Sequence, residues 1–132
     1  MRDERGGEIL LVEDNETILE AFSVLLTESG YPVIKAASGR DALELAEEHA
    51  PGLVLLDLGL PDMNGLEVVR ELKAKETTAR IPVIAITGHA LDTDRDACMA
   101  AGCDGYVTKP VDTRQLLDLI PNHITEPTEP AG

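Results

Sequence analysis

Five side chains able to move a charged group each follow a short apolar run. Glu13 and Asp14 follow Ile9-Leu10-Leu11-Val12, and Asp57 follows Leu53-Val54-Leu55-Leu56. Thr87 follows Ile81-Pro82-Val83-Ile84-Ala85-Ile86, and Lys109 comes just after Tyr106-Val107. Three carboxylates gathered in one place repel one another and do not all stay ionised without a cation. A hard divalent ion with oxygen ligands relieves this, and Mg²⁺ suits a few carboxylates plus waters plus a phosphoryl group. A lysine then supplies a point charge for an anion beside the metal. Carboxylate nucleophile, metal, lysine and hydroxyl are together the parts needed for phosphoryl transfer to an aspartate.

Singly, each residue has a plainer reading. Glu13-Asp14 suits a helix start, where acids favour the dipole. Asp57 suits a turn cap, although a carboxylate ending a buried strand is costly without a purpose. Thr87 reads alone as a loop hydroxyl and Lys109 as a surface lysine. Their arrival together at four strand ends is what these readings leave unexplained.

The elements that must position them follow from periodicity. The apolar runs above predict strands at 9–12, 53–56, 81–86 and 106–107, and Pro32-Val33-Ile34 predicts one more. Between them Ile18, Leu19, Phe22, Leu25 and Leu26 recur at helical spacing up to Gly30. Ser38 is a predicted N-cap for a helix containing Ala42, Leu43, Leu45 and Ala46, closed by Pro51-Gly52. Leu66, Val69 and Leu72 mark a third helix. Ala97, Met99, Ala100 and Ala101 mark a fourth, ended by Gly102, and Leu116, Leu117, Leu119 and Ile120 a fifth. Strands alternating with helices demand an α/β fold, a doubly wound five-stranded parallel sheet with helices on both faces. Ligands bind outside the carboxyl ends of such strands, where the strand order switches. With the order 2-1-3-4-5, strands one and three are neighbours and all three carboxylates share one crevice.

The chain has 132 residues, room for one domain, with 43% hydrophobic and 27% charged residues. Against 25 Asp and Glu stand 11 Lys and Arg, a net charge of −14, which repels nucleic acid and anionic lipid. Neither direct nucleic-acid binding nor a membrane partner is expected, and no apolar stretch approaches the roughly 20 residues of a span. The start, Met1 to Gly7, lacks the apolar core of a signal peptide. With only Cys98 and Cys103 there is no disulfide framework, so a cytoplasmic location is expected. The expected domain is 8–124, with disordered tails at 1–7 and 125–132. The lack of an output domain after 124 fits either a stand-alone regulator or a piece of a longer protein. Cys98 and Cys103 read as packing residues, His49 and His123 as helix-end cations, and Gly65 and Gly102 as backbone positions at helix ends.

Four segments resemble the receiver domain of two-component response regulators, including small chemotaxis and cell-cycle regulators. They are Leu11-Val12-Glu13-Asp14-Asn15, Asp57-Leu58-Gly59-Leu60-Pro61-Asp62-Met63-Asn64-Gly65, Ile86-Thr87-Gly88-His89-Ala90 and Gly102-Cys103-Asp104-Gly105-Tyr106-Val107-Thr108-Lys109-Pro110. The resemblance runs from about Glu8 to His123 and implies a flavodoxin-like (βα)5 fold. It implies that Asp57 is the phosphoacceptor, and that Glu13 (through water) and Asp14 hold Mg²⁺ together with Asp57 and the Gly59 backbone carbonyl. Thr87 and Lys109 match the groups that bind phosphoryl oxygens, Tyr106 matches the aromatic switch, and Lys109-Pro110 matches a cis peptide bond. The implied partners are a histidine kinase or phosphotransfer protein and a downstream protein target. The target reads the face of helix four, strand five and helix five. Gly59 and His89, two after the acceptor and two after the threonine, are departures expected to tune the lifetime of the phosphoryl group.

Three other functions are weighed against this one. A haloacid-dehalogenase-type phosphatase, Mg²⁺-dependent with an aspartyl-phosphate intermediate, also uses a strand-end Asp. It needs an Asp two residues on, where Gly59 stands, and a cap insertion that this chain lacks. A flavin carrier needs a hydroxyl- and glycine-rich loop after strand one, whereas Glu13-Asp14-Asn15-Glu16 repels a flavin phosphate. A receiver that has lost phosphorylation is at odds with the intact reactive positions. The expectation is a switch that catalyses only its own phosphorylation and dephosphorylation, not an enzyme acting on others.

Overall fold

A computed structural model of the chain describes residues 7–88 and 92–124, the side chains of 92–94 excepted. The expected tails lie outside the described residues, apart from Gly7. Strands and helices alternate: β1 (Ile9–Val12), α1 (Glu16–Glu28), β2 (Val33–Ala36), α2 (Gly39–His49), β3 (Leu53–Asp57), α3 (Gly65–Ala74), β4 (Val83–Thr87), α4 (Asp92–Ala101), β5 (Gly105–Thr108) and α5 (Thr113–His123). The five strands form one parallel sheet in the order 2-1-3-4-5. This is the doubly wound, flavodoxin-like arrangement expected.

Strand side chains alternate between two faces, and each face is covered by helices. Leu10, Val12, Val54, Leu56, Val83 and Ala85 share one core with Ala42 and Ala46 of α2, Val68, Val69 and Leu72 of α3, and Cys98 and Ala101 of α4. Ile9, Leu11, Leu53, Leu55, Ile84, Ile86 and Val107 share the other with Leu19 and Leu26 of α1, and Leu116 and Ile120 of α5. Each fully buried Leu or Ile contributes roughly 1.5–3 kcal/mol. The apolar runs of β1 and β3 are continuous because both of their faces are covered.

Local chemistry sets the helix starts. The Asn15, Ser38, Asn64 and Asp112 side chains accept amides of the first turns of α1, α2, α3 and α5. Gly65 opens α3 because a Cβ there would lie 2.5 Å from the Leu58 Cα. Gly102 ends α4 at φ +113°, a conformation that favours glycine.

Element edges differ from the sequence expectation: β3 ends at Asp57, β4 at Thr87, β5 spans Gly105 to Thr108, and three further differences have a clear local cause. β4 starts at Val83, not Ile81, because Pro82 has no amide for the ladder. β2 runs on through Lys35 to Ala36; as an edge strand it exposes Lys35, which hides its extent from a search for apolar runs. α2 closes on Ala50 at φ 47°, one residue ahead of Pro51-Gly52.

Candidate functional site

The rim at the carboxyl ends of the strands gathers the predicted acids. Val12 of β1 pairs with Leu56 of β3, so Glu13 and Asp57, the next residues, stand side by side. Glu13, Asp14 and Asp57 each offer a carboxylate oxygen within 4.8 Å of the others. Glu13 and Asp57 are buried and Asp14 is exposed. Glu13 Oε2 accepts the Asn15 amide at 3.0 Å, while Asn15 Oδ1 accepts the Ile18 amide and starts α1. The Glu13 carboxyl is pushed up from 4.5 to about 7, first by burial, with the Asn15 amide pulling it down and neighbouring Asp57 adding to the rise.

Asp57 is held from two sides. Its Oδ1 accepts the Gly59 amide at 3.0 Å, and its Oδ2 accepts Lys109 Nζ at 3.0 Å. Lys109 is anchored by its own amide, which donates to Thr87 O at 2.8 Å. The Lys109-Pro110 bond is cis, as the resemblance implies. Among the described residues, a Cβ built on Gly59 would meet only Asp57 Oδ1, at 3.6 Å, so residue 59 stands beside the acceptor.

Thr87 is buried at the end of β4, one step beyond Ile86, the register partner of Asp57. It therefore belongs to the opposite face of the sheet from Asp57. Tyr106 pairs with Ala85, which puts the tyrosine on the same face as Thr87. It is half-buried against the α2–α4 core. It lines a cavity of about 430 Å³ with Arg95 and Met99 of α4 and with Gln115, Leu119 and His123 of α5. Met99 is 48% exposed there, so this face carries apolar surface. His89, expected to tune lifetime, lies outside the described residues.

The bland expectations also have places. Cys98 and Cys103 are both buried, and burial pushes the Cys103 thiol up to about 12, which leaves it inert. His123 Nδ1 lies 2.9 Å from Leu119 O in the last turn of α5, and His49 ends α2.

Two acids that the sequence reading leaves aside organise the loops. Asp62 accepts the Gly39 and Arg40 amides at 2.9 and 3.1 Å. Asp104 Oδ2 accepts both Lys73 Nζ, at 3.1 Å, and the Val83 amide, at 2.9 Å. Nothing in local spacing marks either one, because the partners lie 21 to 31 residues away.

The donor set fits a hard divalent cation. The three acidic groups are oxygen donors within ligand reach of one another, the chemistry a hard divalent cation takes. Fold and rim together define a class: small α/β domains that take a phosphoryl group onto an aspartate at the switch point of the sheet. The family model for the response regulator receiver domain matches residues 9–121, and the chain belongs to that family.

Polar-differentiation response regulator DivK of Brucella ovis is 40% identical over 116 residues, covering 88% of this chain and 94% of its own. A receiver domain of a sensor histidine kinase from Pseudomonas aeruginosa is 36% identical with a TM-score of 0.82, covering 89% of this chain and 97% of its own. That structure has a magnesium ion coordinated in its active-site cleft. Chemotaxis protein CheY4 of Vibrio cholerae superposes with a TM-score of 0.84 at 26% identity, covering 89% of this chain and 98% of its own.

As a receiver domain, the chain is a phosphoacceptor switch of a two-component system. Such a switch works between a histidine kinase or phosphotransfer protein and a downstream target. These findings give no support to the phosphatase alternative. No helix among the described residues is long and apolar enough to cross a membrane.

Proposed function

We propose that Asp57 is the residue phosphorylated, with Glu13, Asp14, Asp57 and the Gly59 carbonyl holding Mg²⁺. One observation carries this reading: a strand-end carboxylate only 4% exposed, held by the Gly59 amide and the Lys109 ammonium, with two further carboxylates within ligand reach. When bound, Mg²⁺ neutralises charge as an anionic donor approaches an acidic rim. The chain's own groups do the rest. An Asp57 oxygen attacks phosphorus, the N–P bond of the phosphohistidine donor breaks, and the imidazole leaves carrying a proton. Lys109 moves its charge from the carboxylate to a phosphoryl oxygen, and the Thr87 hydroxyl binds another.

Thr87 and Tyr106 form the switch in this reading. They share one face of the sheet, so a hydroxyl drawn toward Asp57 vacates space that the Tyr106 ring fills. The face of α4, β5 and α5 then changes shape for a protein target. His89 and Gly59 set how fast water removes the phosphoryl group. The charge of −14 supports a protein partner over nucleic acid or an anionic membrane, and two buried free thiols support a reducing, cytoplasmic setting.

The test is transfer from a phosphohistidine donor in the presence of Mg²⁺. Wild-type protein should acquire an acyl phosphate labile in both strong acid and base, and Asp57→Asn should acquire none while keeping its circular dichroism spectrum. Undiminished labelling of Asp57→Asn would sink the assignment.

A further inference from the structure

The two loops that carry the metal ligands of the proposed function are both tied to one short segment, Ala36 to Arg40, that bears none of those ligands. At one end of it, the Glu13 amide donates to Ala36 O at 3.0 Å. At the other, the Asp62 carboxylate takes the Gly39 amide on Oδ1 at 2.9 Å and the Arg40 amide on Oδ2 at 3.1 Å. Asp62 belongs to the loop 58–64, which also carries Gly59. The same contact is packed as well as hydrogen-bonded: a Cβ on Gly39 would lie 2.4 Å from Met63 Cγ and 3.0 Å from Val68.

α2 does not depend on Asp62 for its start. Ser38 Oγ already accepts the Asp41 amide at 3.1 Å from the N-cap position. The two amides before Asp41 are taken by a residue from another loop, at the N-terminal end of the helix dipole, where a carboxylate is favoured. Those two amides hold the Asp62 carboxyl below the usual carboxylate range, the Gly39 amide most strongly. Asp62 is itself exposed, so burial does not explain its place. The loop 58–64 is therefore fastened at both ends. At its start the Leu58 amide donates to Ile86 O at 3.0 Å and the Gly59 amide to Asp57 Oδ1 at 3.0 Å, and further on Asp62 grips α2.

We propose that Asp62 is a positioning residue for metal binding, which clamps the Gly59 loop to the first turn of α2 and so fixes it relative to the Glu13-Asp14 loop. The inference rests on the reading that these loops hold Mg²⁺. Free of the clamp, the loop must be ordered at the moment the cation binds, and that cost appears as lost affinity.

The experiment titrates the ¹⁵N-labelled full chain with MgCl₂ alone and follows backbone amide shifts. Wild type is compared with Asp62→Ala, Asp62→Asn, Ser38→Ala and Asp14→Ala. Asp62→Ala should weaken Mg²⁺ binding severalfold, less than the roughly tenfold or more lost with a partner bonded directly to a metal ligand, because Asp62 acts one step further out. Asp62→Asn keeps one acceptor oxygen and should fall between wild type and alanine. Ser38→Ala removes a cap from the same helix and should lower the urea midpoint while leaving Mg²⁺ affinity unchanged. Asp62→Ala binding Mg²⁺ like wild type overturns the proposal. Equal losses in alanine and asparagine also overturn it, by assigning the effect to charge, and so does an equal loss in Ser38→Ala. A wild type whose amides ignore Mg²⁺, or an Asp14→Ala variant that binds it normally, refutes the metal reading itself and this inference with it.

Discussion

Lys109 Nζ stands 3.0 Å from Asp57 Oδ2, joining residues 52 positions apart across the rim of the sheet. The pair is lopsided: the aspartate side chain is 4% exposed and the lysine 37%. A carboxylate this enclosed cannot exchange its partner for water, so the lysine is its main compensation until a cation or phosphoryl group arrives. Lys109→Ala should therefore lower the stability of the metal-free protein by about 1–3 kcal/mol, more than an exposed ion pair would cost. Mg²⁺ should recover much of the loss. Urea midpoints in EDTA and in MgCl₂ measure both, and an unchanged midpoint in EDTA would show that Asp57 is not held this way.

In the proposed function the cluster of Glu13, Asp14 and Asp57 holds Mg²⁺, so stability should respond to divalent cation. A ligand that binds only the folded state adds about 1.4 kcal/mol when it is present at ten times its Kd. Adding MgCl₂ should raise the wild-type urea midpoint accordingly, and Asp14→Ala should blunt the gain. Phosphotransfer should stop in excess EDTA. Transfer that survives the chelator would contradict the metal's role.

Glu13 makes the metal-free protein sensitive to pH. Its carboxyl stands at about 7 when folded, against 4.5 ordinarily. Because the folded value is the higher one, the folded state binds the proton more tightly. The stabilisation is full below about pH 4.5 and is lost as pH rises through about 7. In EDTA, stability should fall by on the order of 2 kcal/mol between pH 5 and 8, on the scale of 1.36 kcal/mol per unit. Glu13→Gln should flatten that slope and be the more stable protein at pH 8. Parallel pH profiles for the two proteins would remove Glu13 as the cause. Since the proton competes with the cation, Mg²⁺ affinity should also weaken below pH 7.

In the proposed function, residue 59 helps set how long the phosphoryl group lasts. A Cβ there would be 3.6 Å from Asp57 Oδ1, so a larger side chain would stand beside the acceptor carboxylate. Gly59→Leu should lengthen the phosphoryl half-life severalfold with little change in the rate of phosphorylation. His89→Ala should also change the half-life, and flatten its dependence between about pH 6 and 8, around an ordinary histidine value of ~6.5. Half-lives that match wild type for both variants would make these positions bystanders.

The alternation of β-type and helical periodicity, and the polar residues that interrupt it at Glu13, Asp57, Thr87 and Lys109, are properties of the sequence by itself. They suffice for the doubly wound class and for naming the rim residues, because burial of an apolar run is a local demand that each segment states in its own composition. Distances between segments are not local. Glu13 is raised first because the fold buries it at the end of β1, and further because strand order puts β1 beside β3 and so Asp57 beside it. Thr87 and Tyr106 share a face, and Asp57 takes the other, only through the register of β3, β4 and β5. Asp62 reads as one more polar loop residue until the crossovers bring it to amides 22 and 23 positions earlier. Packing of the two helical layers on the sheet sets those separations, and no spacing along the chain encodes them.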